Sequence, residues 1–190
     1  FVREDWGHIL PGEFEGGGVR FCANEEEAAA FQPTGFVRPV ALEYLDVRSP
    51  DGRFRKYRYF AAGELGVSHH MQTAENWWVK GDRLLHGDEL REEECAFLDV
   101  PNPHHEKLQA ARRSLELDLV AIDYSIDRDG ELVIWEANPY PSIHLPSALV
   151  GRRLEHRIPS LERTLAAIAH LYLTRAGVDV PDRIGEYLSY

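Results

Sequence analysis

Two short runs rich in β-branched and aromatic residues, Val120–Ile126 and Glu131–Trp135, form the clearest strand pattern in the chain. The clearest helical pattern is Ile158–Arg175, with Leu161, Leu165, Ile168 and Tyr172 along one stripe and Gly177 placed to cap its end. Upstream, Pro39–Val47 and Phe54–Ala62 read as two strands joined through the turn Arg48-Ser49-Pro50-Asp51-Gly52-Arg53. Glu64-Leu65-Gly66 turns the chain again, and Val67–Gln72 continues the sheet. Phe1–Arg3 and Val19–Cys22 are shorter strand candidates, and Asn24 is an N-cap for a helix over Glu25–Phe31, whose acids suit its positive end. Asn76–Glu94 is polar and acidic, a solvated connector running into a short helix over Glu89–Leu98. A further helix opens at Asn102 or Pro103, with Leu108, Ala111 and Leu115 at helical spacing. Hairpins outnumber crossovers and helices flank them, which predicts an α+β fold built on a largely antiparallel sheet.

Composition narrows the functional classes. The 190 residues carry 21 Lys plus Arg against 32 Asp plus Glu, a net charge of −11. That balance argues against a nucleic-acid binder, which needs basic surface to displace counterions. A small phosphate-bearing ligand stays compatible, because it answers to the local field of one cleft. No apolar run is long enough for a transmembrane helix, so no membrane partner is expected. Cys22 and Cys95 form no disulfide framework or metal-ligand spacing and read as buried reduced thiols of a cytoplasmic protein. Phe1-Val2-Arg3-Glu4 reads as a strand already under way, so the chain is expected to be part of something longer.

The most informative segment runs from Ala121 to Pro139. Asp129-Gly130 between two β-rich runs signals a hairpin with a two-residue turn, which sets Arg128 opposite Glu131 and, counting back, Asp123 opposite Glu136. Opposed residues share a face, with Cβ atoms roughly 5 Å apart. Asn138, two residues beyond Glu136, shares it too. Two carboxylates placed so, between apolar neighbours such as Ile122, Tyr124 and Ala137, repel each other and lose hydration. A hard divalent cation with oxygen ligands would resolve the conflict. Alternatively, the acids stay hydrated on a solvent-facing rung or are bridged by an arginine.

The ordered pair Ala121-Ile122-Asp123 and Glu136-Ala137-Asn138-Pro139 resembles the C-terminal signature of the ATP-grasp superfamily. The resemblance implies an ATP-grasp-like fold in which Asp123, Glu136 and Asn138 hold Mg2+ (Mn2+ as an alternative) on the phosphates of ATP. It extends upstream. Val40–Asp46 is similar to the adenine hinge, with Glu43, Tyr44, Leu45 and Asp46 near adenine and ribose. Arg55–Gly63 is similar to the family's R-x-F strand, implying that Arg58 reaches phosphate or an acyl phosphate. Lys56 lies on the same strand face. The glycine-rich loop with His8 and Gly16-Gly17-Gly18 has the location and composition of the phosphate-covering turn, and Arg3 stands where the family usually has a lysine on the α- and β-phosphates.

Read this way, residues 1–75 hold the hinge strands and the glycine-rich loop, and 76–190 hold the metal hairpin and closing helices. The implied activity is a ligase joining a small carboxylate to an amine or thiol through an acyl phosphate. The alternative is a nucleotide-binding or scaffolding domain that keeps the fold without turnover, which Arg3 in place of lysine favours. The last helix is either the family's closing helix or a homo-oligomer contact. Other constellations carry less. His69-His70 and His104-His105 invite zinc, but adjacent residues of a strand point to opposite faces, so each pair offers one ligand. Trp77-Trp78 reads as core or lid packing, and no G-x-S-x-G elbow is present.

Overall fold

The computed structural model describes residues 2–4, 19–32, 34, 39–143, 146–151 and 153–190. Its contacts divide the chain into two units, residues 1–46 and 47–190. In the first unit, strand β1 (Val2–Glu4) pairs antiparallel with β2 (Val19–Arg20) on one side and β3 (Pro39–Ala41) on the other. Helix α1 (Glu25–Ala30) begins at an N-cap: Asn24 Oδ1 accepts from the Glu27 N–H at 2.8 Å, and Glu27 Oε2 reaches back to accept from the Ala23 N–H, one residue before the cap, at 3.0 Å. The strand expected over Pro39–Val47 is observed only over Pro39–Ala41, with Ala41 opposite Val2 of β1. The segment beyond runs outside any sheet.

The second unit is a four-stranded antiparallel sheet flanked by helices, an α+β fold as the pattern predicts. Its strands β4 (Phe54–Ala62), β5 (Leu65–Ala74), β6 (Leu119–Ile126) and β7 (Leu132–Asn138) lie in the order β5-β4-β6-β7. On one face Tyr59, Ala61, Val120, Ile122 and Tyr124 bury against Leu108 of α3 (His105–Ser114). Between this face and α2 (Asp88–Leu98) lies a cavity of about 200 Å³ lined by Tyr57, Met71, Phe97, His104 and Tyr124. After β7 come α4 (Pro146–Gly151) and a 3-10 turn, Glu155–Arg157, leading into α5 (Ile158–Arg175). Phe60, Ala62, Val67 and Ala121 bury on the other face against Ala167 and Leu171 of α5. A final helix, α6 (Asp182–Tyr187), packs on α5. Among the described residues no helix is long and apolar enough to cross a membrane.

Helix α5 has the predicted bounds but a different buried stripe. Leu165 and Tyr172 are exposed, whereas Ser160, Thr164, Ala167 and Leu171 are buried beside Leu161. The polar members go inside because their hydroxyls are satisfied: Ser160 Oγ donates to the Ser68 carbonyl at 2.6 Å and Thr164 Oγ1 to the Ser160 carbonyl at 2.8 Å. Gly177 ends the helix as predicted, with φ of 67° and a Schellman pair, Gly177 N–H to Thr174 O and Val178 N–H to Leu173 O. The two cysteines are free thiols and only partly buried.

The edge strand β5 is sealed by side chains. Met71 turns its N–H and C=O out of the sheet, where Glu94 Oε1 accepts the N–H at 2.8 Å and Arg157 donates to the carbonyl at 3.2 Å. Glu94 is 4% exposed, and its carboxylate also meets His156 Nε2 at 2.6 Å and the Arg157 guanidinium at 2.9 Å. Pairing the edge in this way removes the template that an open strand offers to other chains.

Candidate functional site

Asp123 stands opposite Glu136, as the hairpin signal predicts, but through two offsets that cancel. The turn has three residues rather than two. Arg128, Asp129 and Gly130 are closed by the Asp127 N–H to Glu131 O bond, and Gly130 takes φ of 81°. Asp127 Oδ1 favours the longer loop by accepting from the N–H groups of both Asp129 and Glu131. A bulge at Trp135 then returns the ladder to the Asp123–Glu136 pairing.

The row at this level crosses the whole sheet. His70 of β5 pairs with Arg58 of β4, Arg58 with Asp123 of β6, and Asp123 with Glu136 of β7. Lys56 and Asn138 lie on the same face and flank this row, Asn138 opposite Ala121 beside the surface that α5 covers and Lys56 opposite Gln72 on the other side. Arg58 holds Asp123 in a bidentate pair, Nε to Oδ1 at 2.6 Å and an Nη to Oδ2 at 2.9 Å, and Lys56 Nζ stands 3.3 Å from Oδ2. The Asp123 carboxylate is thus compensated by Arg58 and Lys56 on the β4 side, while Glu136 stands across from it on the exposed edge strand. Burial opposes ionisation of Asp123, but the Arg58 hydrogen bonds and the Lys56 charge outweigh it and hold the carboxyl below its ordinary value. Glu136 is exposed and Asn138 half-buried, its Oδ1 accepting from the Tyr140 N–H at 2.8 Å.

Two bulges bring residues to this face that sequence reasoning assigns elsewhere. The β4–β5 register shifts after Arg58, leaving His69 as the extra residue on β5. His69 and His70 therefore both lie on the α5 face, rather than on opposite faces as regular alternation requires. His69 contacts Thr164 Oγ1 at 3.0 Å and the Phe60 ring, and the two imidazole centroids are 5.4 Å apart. The bulge on β7 turns Trp135 the same way, so that its indole N–H donates to Ser125 Oγ at 2.8 Å. Neither residue carries a sequence signal for this placement, because a bulge is a property of the paired ladder.

The remaining candidates fall elsewhere. Glu43, Tyr44, Leu45 and Asp46 belong to the first unit, where Tyr44 packs edge-on to Phe21 with centroids 5.3 Å apart. Arg3 lies in β1 opposite Val19 and Val40, with its side chain outside the described residues. His8, Gly16, Gly17 and Gly18 also lie outside the described residues. Among those described, no group of three or more His, Cys, Asp or Glu side chains is arranged to hold a metal.

No protein-family model matches this chain, and no curated protein matches it. A solved structure that partly overlays it is that of macrocyclase MdnB from Microcystis aeruginosa MRC, with 14% sequence identity and a TM-score of 0.32. The overlay covers 63% of this chain and 38% of that one, so the chain spans well under half of that protein's length. A likeness of this size does not establish a shared fold or activity.

Proposed function

We propose that the Lys56–Arg58–Asp123–Glu136 face binds the phosphates of ATP with Mg2+, in a ligase that joins a carboxylate to an amine or thiol. The observation that carries the reading is the rung itself. Two cations and two carboxylates lie on one face, the carboxylates in the two sequence segments that resemble the ATP-grasp signature.

The oxygen donors are compatible with a hard cation. A carboxylate offers roughly four acceptor directions, of which Arg58 and Lys56 engage three on Asp123. Glu136 is exposed, and Asn138 Oδ1 accepts one described hydrogen bond and offers a second lone pair. Asp123, Glu136 and Asn138 would hold Mg2+, which when bound would neutralise charge on the phosphate oxygens.

The chain's own residues supply position and field. Asp123 fixes the Arg58 fork, and Arg58 with Lys56 presents positive charge where phosphate oxygens accumulate it. A substrate carboxylate oxygen attacks the γ-phosphorus and ADP leaves. The amine nitrogen then attacks the acyl carbon, giving up a proton as phosphate departs. The test is ADP release from ATP across paired panels of small carboxylates and amines. The expected result is ADP formed only when both partners are present. Bound ATP without ADP from any pair would leave the scaffolding alternative.

A further inference from the structure

The phosphate-face reading leaves the two histidines that the β5 bulge brings to the same surface without a role. Their immediate surroundings hold three cations, each with a carboxylate on its far side. Around His70 stand His69 on its own strand, Arg58 and Lys56 on β4, and Arg157 from the turn before α5. Behind Arg157 lies Glu94 of α2, and beyond Arg58 lies Asp123 of β6. Burial, then His69 and these cations, keep the His70 imidazole neutral, its pKa well below the ordinary histidine value.

The tautomer of His69 follows from its partner. The single hydroxyl proton of Thr164 goes to the Ser160 carbonyl, so Thr164 Oγ1 accepts from His69 Nδ1–H. A neutral His69 therefore carries its proton on the side facing α5, and its other ring nitrogen is the acceptor. His69 is positioned by its Thr164 hydrogen bond, and the His70 ring packs against it with centroids 5.4 Å apart.

An anion arriving at this face changes the balance. Phosphate oxygens pair with Arg58 and Lys56, two of the charges that oppose an imidazolium, and add negative charge of their own. We infer that His70 is a proton-accepting contact of this face: a polyphosphate bound against Lys56 and Arg58 draws a proton from solvent onto the His70 ring, so that anion binding and proton uptake are one event. This rests on the reading of the face as a phosphate site and adds to it a residue and a linked proton. The sign follows from linkage. The bound state holds more protons than the free state, so affinity rises as pH falls, by up to about tenfold per pH unit when one full proton is taken up.

The experiment is calorimetric titration of the full chain with ATP and Mg2+ near pH 7, in buffers of different protonation enthalpy. Wild type is expected to show a buffer-dependent heat corresponding to net proton uptake. His70→Gln is expected to bind ATP more weakly at pH 6.5, with a flatter pH profile and most of the uptake gone. Titration of ATP itself is common to both proteins and cancels in the comparison. ATP binding with no buffer dependence, or with the same uptake in His70→Gln, would overturn the inference and leave the phosphate site standing. No ATP binding by wild type would overturn both. As a readout free of any folding defect in the variant, the His70 ring resonances of wild type are followed by NMR against pH. Their midpoint is expected to rise when ATP is added, and an unmoved midpoint in the bound protein counts against the proposal.

Discussion

Glu94→Ala is expected to lower unfolding stability by about 3–5 kcal/mol, the range for breaking a buried ion pair from one side. Glu94 is the acceptor for the outward Met71 N–H and the partner of both His156 and Arg157, in a setting almost closed to solvent. Alanine strands one backbone donor and two side chains at once. Glu94→Gln keeps an acceptor for Met71 and is expected to cost less, about 1–2 kcal/mol, since only the charge-assisted part of its bonds is lost. Urea unfolding of the two variants beside wild type checks the order. Equal costs would mean that the charge, rather than the sealing of the β5 edge, carries the effect. The change is also expected to expose β5 as a pairing edge, read as concentration-dependent association of the alanine variant.

Arg58→Met is expected to destabilise the fold by about 2–4 kcal/mol, because Asp123 is 4% exposed and loses its bidentate partner, keeping among the described residues Lys56 at 3.3 Å. The lower end allows for the partial exposure of Arg58 itself. The acid limb of the stability curve provides a second readout. The folded Asp123 carboxyl titrates below its ordinary value of 3.8, so the unfolded chain binds more protons between the two values and stability rises with pH there. The Asp123 contribution is therefore present above about pH 4 and lost as pH falls through the folded value. Without Arg58 the folded carboxyl loses its strongest hydrogen bonds, and this acid-dependent step is expected to shrink. Denaturant midpoints collected from pH 6 down to pH 2.5 would check it. An unchanged acid limb in Arg58→Met would show that the bidentate pair contributes little in solution.

What could be read in advance was set by local chemistry, and what could not was set by pairing. Phe54–Ala62 and Ile158–Arg175 have the predicted bounds because turn residues or helix caps punctuate them: Ser49–Arg53 and Gly63 for the strand, Pro159 and Gly177 for the helix. The pattern over Pro39–Val47 extends past the observed β3, since a β-rich run says nothing about whether a neighbour continues beside it. The buried stripe of α5 departs from the apolar pattern because Ser160 and Thr164 count as polar in the sequence, whereas their hydroxyls are satisfied by backbone carbonyls. The Asp123–Glu136 juxtaposition was legible, even though the turn length and the bulge that together produce it were not. Arg58 is singled out in the sequence only by the resemblance of Arg55–Gly63 to the ATP-grasp R-x-F strand. Its bond to Asp123 is a consequence of the β4–β6 register, which brings together residues 65 positions apart. His69 and Trp135 reach the polar face only through bulges, for which the chain carries no local mark.

Glu136 is the residue that tests most cleanly whether this face binds ATP through a divalent cation. It is exposed, so Glu136→Gln removes a carboxylate without stranding a buried partner. Calorimetric titration with ATP, with and without Mg2+, on wild type and Glu136→Gln is the direct measurement, with circular dichroism confirming that both are folded. Wild type is expected to bind ATP only with Mg2+, and the variant to lose at least about tenfold in affinity, the equivalent of roughly 1.4 kcal/mol. Undetectable binding by wild type, or Mg2+-dependent binding that Glu136→Gln leaves unchanged, would contradict the account.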